Sequence, residues 1–209
     1  MRVLLLHAFP YDPGMWDAQR PVLEGHDVSA PTLYGRGNSM DGWATSLLGE
    51  LDGSFDVVVG ASMGGGCALA MSRQQPDRVG AIVLAGAHAG PDAPERRPAR
   101  QEMTEKIRAE GAASLWAGEG PPASADELIA IVEALRDRPD DRSVVSSLGV
   151  PLLVVAGDSD PMVSVETAHG LADAAPDGKC VIVPGAGHIV SADKPDEFNE
   201  VLSTFLERL

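Results

Sequence analysis

Val57-Val58-Val59-Gly60-Ala61-Ser62-Met63-Gly64-Gly65-Gly66-Cys67-Ala68-Leu69-Ala70-Met71 runs from β-branched residues, through a glycine-flanked serine, into small residues. With Phe55 ahead of it, the valine run reads as a buried strand, and the stretch from Gly65 to Met71 reads as a helix. A serine on so sharp a strand-to-helix turn has its hydroxyl pushed out above the sheet edge. Glycines on both sides suit a cramped turn and a close approach of helix to strand. The turn also sets Ser62 at a helix N-terminus, where free amide N–H groups and the helix dipole favour developing negative charge. Ser62 is therefore the candidate nucleophile.

Outward from this turn, short Val/Leu/Ile-rich runs recur at 2–7, 26–30, 56–60, 79–85, 151–156 and 179–183, separated by helical stretches. Runs without polar alternation predict strands covered on both faces, hence a mainly parallel sheet between layers of helices, a doubly wound α/β fold. Pro195, Asp196 and Glu197 suit a first helical turn, and Phe198, Val201, Leu202, Phe205 and Leu209 share one face of the closing helix. Residues 87–147 break the rhythm. They open with Gly90-Pro91-Asp92-Ala93-Pro94, carry mixed charges over 95–106 that read as a solvated face, and hold a Ser124-Ala125-Asp126-Glu127 capping box. Helices between two strands, leaving from the carboxyl end of the sheet, predict a small lid over 87–147 on a core of 1–86 and 148–209.

The 209 residues suit one domain. Sixteen basic against 31 acidic residues, a formal charge of −15, speak against nucleic acid or an anionic membrane as partner. No apolar run approaches a membrane span, and the N-terminal run lacks the anatomy of a signal peptide, so the expected location is cytoplasmic. Cys67 and Cys180 lack metal-ligand spacing and read as reduced packing residues. No metal and no cofactor is expected.

A serine hydroxyl needs a base, and imidazole oriented by a carboxylate serves near neutral pH. His188, in the turn Pro184-Gly185-Ala186-Gly187-His188 past the last strand, falls at the same sheet edge as Ser62. His7 and His88 also follow strands; His26 begins one, and His169 sits in a helical stretch. Gly157-Asp158-Ser159-Asp160-Pro161 offers two carboxylates, between which the residues alone do not choose. The amides of Met63 and Phe9 are the candidate oxyanion donors.

In this order the pieces resemble the α/β-hydrolase superfamily, and in particular its small esterase, enol-lactonase and cofactor-free haloperoxidase-like branch. Leu4-Leu5-Leu6-His7-Ala8-Phe9-Pro10 with Trp16 is similar to the His-Gly-Phe-Pro oxyanion loop, with Ala8 where glycine is usual. Tyr34-Gly35-Arg36-Gly37-Asn38-Ser39, the serine turn, Val155 to Asp160 and Gly185 to His188 match the remaining loops. The resemblance implies an α/β-hydrolase fold whose chain starts at the oxyanion-loop strand, leaving about six strands and a short helical lid. It implies Ser62 as nucleophile, His188 as base, Asp160 rather than Asp158 as its orienter, and Phe9 and Met63 as the oxyanion hole. Ala8, His88 and Trp116 are expected at the substrate pocket. The implied activity is hydrolysis of a small-molecule ester or lactone through an acyl-enzyme. Alternatives on the same scaffold are a lyase, a cyclase or a small-molecule receptor, and a perhydrolase or haloperoxidase-like activity. Oligomeric state is left open.

Overall fold

The computed structural model describes residues 1–115 and 123–209. Six strands form one sheet: β1 (Arg2–Leu6), β2 (Asp27–Ser29), β3 (Val57–Ala61), β4 (Ile82–Ala85), β5 (Leu152–Gly157) and β6 (Gly178–Val183). Their order is β2-β1-β3-β4-β5-β6, and every pairing is parallel. The runs of β1, β3, β4 and β5 have no polar alternation because both faces of these inner strands are covered, whereas the edge strands β2 and β6 are partly exposed. Leu4, Leu6, Val58, Ile82, Leu84, Val154 and Ala156 enter one core with α1 (Met40–Glu50), α2 (Met63–Gln74) and α6 (Val165–Ala174). Val3, Leu5, Val57, Val59, Val83, Leu153 and Val155, pointing the other way, enter a second core. There they meet Trp16, α7 (Val190–Asp193) and α8 (Pro195–Arg208). The buried face of α8 is Phe198, Leu202, Phe205 and Leu206, whereas Leu209 lies exposed at the chain end.

β4 begins at Ile82 rather than Val79. Val79 makes only an isolated bridge with Phe55, and a Cβ at Gly80 would stand 2.8 Å from the Asp56 carbonyl oxygen. The interval between β4 and β5 holds α3 (Arg97–Glu110), α4 (Ala125–Arg136) and α5 (Arg142–Ser146). The capping box forms as its spacing predicts: Ser124 accepts from the Glu127 amide, and the Glu127 carboxylate accepts from the Ser124 amide. α3 packs on α4, and Ile107, Leu128, Ile131, Val132, Leu135 and Val145 join the same core as Met63 and Leu69. Arg73 of α2 bonds both Asp41 and Asp141, tying the insertion's far end to the core helices. These helices are thus seated on the core by apolar packing and by ion pairs. Among the described residues, no helix is long and apolar enough to cross a membrane.

Candidate active site

Because the strands are parallel, the loops after β1, β3, β4, β5 and β6 open on one rim of the sheet, and those five loops build the site. The tightest follows β3. Ser62, at φ 47° and ψ −107°, is the one non-glycine residue with positive φ among the described residues. Such a conformation costs about 1–3 kcal/mol and persists only where the surroundings enforce it. The enforcement is visible in its glycines. A Cβ at Gly60 would stand 2.5 Å from the Gly64 carbonyl, and one at Gly64 would stand 2.2 Å from the Leu6 oxygen. Helix α2 can start this close to β1 and β3 only if both positions lack a side chain. The Ser62 amide donates to the Ala85 carbonyl at 2.8 Å, locking the turn to the neighbouring strand.

Ser62, His188 and Asp160 meet across 126 and 28 residues of chain. His188 Nδ1 donates to Asp160 Oδ2 at 2.9 Å, since an ionised carboxylate can only accept. That leaves Nε2 unprotonated, and Ser62 Oγ donates to it at 2.8 Å. The Asp160 carboxylate is wholly buried while the imidazole keeps some solvent contact. Burial alone would raise the Asp160 pKa. The hydrogen bond from His188 and the amides of Met162 and Val163 outweigh burial and hold the carboxyl below the ordinary Asp range. Asp158 does different work: its Oδ1 accepts from the Gly185 amide at 2.7 Å and joins the β5 loop to the histidine loop. Asp193 accepts from the Gly187 amide at 2.9 Å and holds the other side of that loop.

A cavity of about 240 Å³ opens beside Ser62 and His188. Phe9 and Pro10 line it from the β1 loop, Gly86, Ala87 and His88 from the β4 loop, and Met162 from the β5 loop. Met103, Leu115 and Leu135 close it from the insertion, together with Arg96, Arg100 and Arg138. The Met63 amide, at the first position of α2, has no intrahelical acceptor, like every helix-start donor.

Of the expected pocket residues, His88 lines the cavity. Ala8 does not reach it: its side chain is fully buried in the core on the opposite sheet face, and its amide points to Met15 Sδ at 3.1 Å. Trp116 lies outside the described residues. His7 is wholly buried and committed to the loop, its Nε2 accepting from the Leu33 amide and its Nδ1 donating to the Ala8 carbonyl, both at 2.9 Å. Arg96 and Arg100 depart from a solvated reading of the charge run over 95–106, and Arg138 joins them at the cavity. Arg100 makes a two-pronged bond to Asp92 at 3.1 and 3.2 Å, nearly out of solvent. Arg96 donates to the Met162 carbonyl. Arg138 Nη2 donates to the His88 carbonyl at 2.7 Å, and its Nη1 donates to His88 Nε2 at 3.2 Å. Burial first, then Arg138 and Arg96, press the His88 pKa down to about 4, so the ring is neutral near pH 7.

A parallel sheet with a strained serine, an imidazole and a buried carboxylate at one rim defines a class, and comparison gives the family. A sequence profile described as the alpha/beta hydrolase family matches residues 3–201, and the chain belongs to that family. It is 37% identical over 91 residues to a pimeloyl-[acyl-carrier protein] methyl ester esterase of Aromatoleum aromaticum, over 40% of this chain and 36% of the other. It is 30% identical over 145 residues to lipase LipV of Mycobacterium tuberculosis, over 61% of this chain and 56% of that one. The chain thus spans about a third to a half of these curated relatives. A thermophilic esterase from Thermogutta terrifontis superposes with a TM-score of 0.87 at 27% identity, covering all of this chain and 90% of that one.

Proposed function

We propose that this protein is a serine hydrolase of small carboxylic esters or lactones, acting through an acyl-enzyme. One observation carries the reading: the unbroken hydrogen-bond relay from Ser62 Oγ through His188 to buried Asp160, at the mouth of a mostly apolar cavity. Ser62 attacks the carbonyl carbon as its proton passes to His188 Nε2, and Asp160 stabilises the imidazolium that forms. The oxyanion is received by the amides of Phe9 and Met63, a pair of which each member is worth roughly 3 kcal/mol of barrier. His188 then protonates the departing alkoxide, the tetrahedral intermediate collapses, and the acyl group stays on Ser62. Water enters, gives its proton to His188, and the same steps in reverse order release the acid.

The cavity falls below the roughly 300–1,000 Å³ that drug-sized ligands occupy, so a short acyl group fits it best. Residues 87–147 then act as the lid, supplying the wall opposite the nucleophile. Steady-state turnover of 4-nitrophenyl acetate tests the proposal. Many turnovers per protein are expected; a single acyl transfer that then stops would point instead to a binding protein or a non-hydrolytic use of the scaffold.

A further inference from the structure

Cations are scarce in this chain, with 16 Lys and Arg against 31 Asp and Glu, yet three arginines line one small cavity. Their pairing is uneven. Asp92 is spent on Arg100. Among the described residues, neither Arg96 nor Arg138 has a carboxylate within 4 Å. The Arg138 Nε is buried with no acceptor there, and its two Nη atoms meet only the carbonyl and the ring of His88. Those acceptors are neutral, so the buried guanidinium has no hydrogen bond to an anion; the carboxylates whose charge reaches it, Asp92 and Asp141, are bonded to Arg100 and Arg73 instead. Burial brings its pKa down to about 10 against the opposing pull of Asp92 and Asp141, with smaller downward pushes from Arg100 and Arg96, and this still leaves it charged near neutral pH. His88 is uncharged there, and its Nε2 accepts from Arg138. An unbalanced pair of planar guanidiniums is the arrangement that a carboxylate satisfies with parallel hydrogen bonds.

We propose that Arg96 and Arg138 form a carboxylate subsite, so that the preferred substrate is a small ester carrying a free carboxylate in addition to the scissile carbonyl. The proposal rests on the hydrolase reading of Ser62. It deepens that reading by giving the cavity a charge preference. The substrate carboxylate lies against Arg96 and Arg138 while Met103, Leu115 and Leu135 pack on the short carbon chain between the two ends. The subsite reads charge without taking part in bond making, so it governs KM more than the chemical step.

The test compares pairs of esters alike in shape and different in charge. On the acyl side, 4-nitrophenyl hydrogen glutarate is set against 4-nitrophenyl 5-methylhexanoate, in which an isopropyl group replaces the carboxylate. On the alcohol side, 4-acetoxybenzoate is set against 4-isopropylphenyl acetate. The anionic member of at least one pair should have the higher kcat/KM by about tenfold. Which pair shows the preference tells which end of the ester the arginines hold. Arg138→Gln and Arg96→Gln should each cut that ratio by about tenfold, mostly through KM. The ratio is insensitive to partial unfolding, which lowers both rates together, and Arg96, on an outer turn, gives a variant free of the buried contacts of Arg138. Ratios near one for both pairs in the parent protein, or an unchanged ratio in both variants, would overturn the subsite. Failure to turn over any of the four esters would instead overturn the hydrolase reading beneath it.

Discussion

The rim of the sheet and the insertion between β4 and β5 meet at the same cavity but are built on opposite terms. At the rim, the backbone is what is fixed. Gly60 and Gly64 admit no side chain, Ser62 is held at positive φ, and Asp158 and Asp193 clamp the histidine loop by its amides. In the insertion, side chains do the fixing. Ile107, Leu128 and Ile131 seat the helices, and charged groups such as Asp92 with Arg100 occupy what apolar packing leaves open. On the proposed reading, the rim holds the reacting atoms and the insertion shapes what reaches them. That reading puts chemistry and selectivity on separately mutable parts of the chain.

That division can be broken by variants that move rate without stability, or stability without rate. The largest effect is expected from Ser62→Ala. Turnover of 4-nitrophenyl acetate should fall at least about a thousandfold, roughly 4 kcal/mol of barrier, with the urea midpoint nearly unchanged, because alanine keeps the Cβ that positive φ strains and loses only the hydroxyl. Next comes the contrast between two aspartates. Asp160→Asn should reduce kcat by about a thousandfold or more, because the amide can hold the wrong imidazole tautomer, while Asp158→Asn should cost about tenfold or less. The reverse order would mean that the clamp, and not the relay, governs the rate. In the insertion the balance should invert: Asp92→Asn leaves Arg100 without its counter-charge and should cost about 3 kcal/mol in urea unfolding, with a smaller change in kcat for a neutral ester.

The smallest effect concerns His88. Its folded pKa of about 4 lies below the 6.5 of an exposed imidazole, so on acidification the unfolded chain takes up the proton first. Stability contributed by the neutral ring is complete above about pH 6.5 and is lost progressively as pH falls toward 4. The buried His7, also shifted down, adds a slope of the same sign. Urea midpoints at pH 7 and pH 5 should thus differ less in His88→Asn than in the parent, with a residual difference from His7. An equal difference in both would place the His88 ring in solvent.

The same contrast explains what could be read from the chain before its structure. The four inner strands were legible as apolar runs because both their faces are covered, and the serine turn because its glycines answer a local steric demand. His188 was legible from its place after the last strand. The choice of Asp160 over Asp158 was not, from the residues alone: they lie two apart in one turn, and only the turn's direction decides which carboxylate faces the imidazole. Ala8 shows the limit of position along a loop, since its neighbour Phe9 faces the cavity while Ala8 faces the opposite core. The arginines were least legible. Arg96 and Arg100 sit four apart in a run of charges whose composition suits solvent, and Arg138 comes from beyond α4. Contacts with distant loops turn them toward one space, Arg96 to the Met162 carbonyl, Arg100 to Asp92 and Arg138 to His88.

The convergence of hydroxyl, imidazole and carboxylate at the rim is tested most directly by treating the protein with a fluorophosphonate and locating the adduct by peptide mass spectrometry. One adduct per chain, on Ser62, is expected, absent from Ser62→Ala and much slower to form in His188→Ala. Labelling at another residue, or equal labelling of the Ser62→Ala variant, would contradict it.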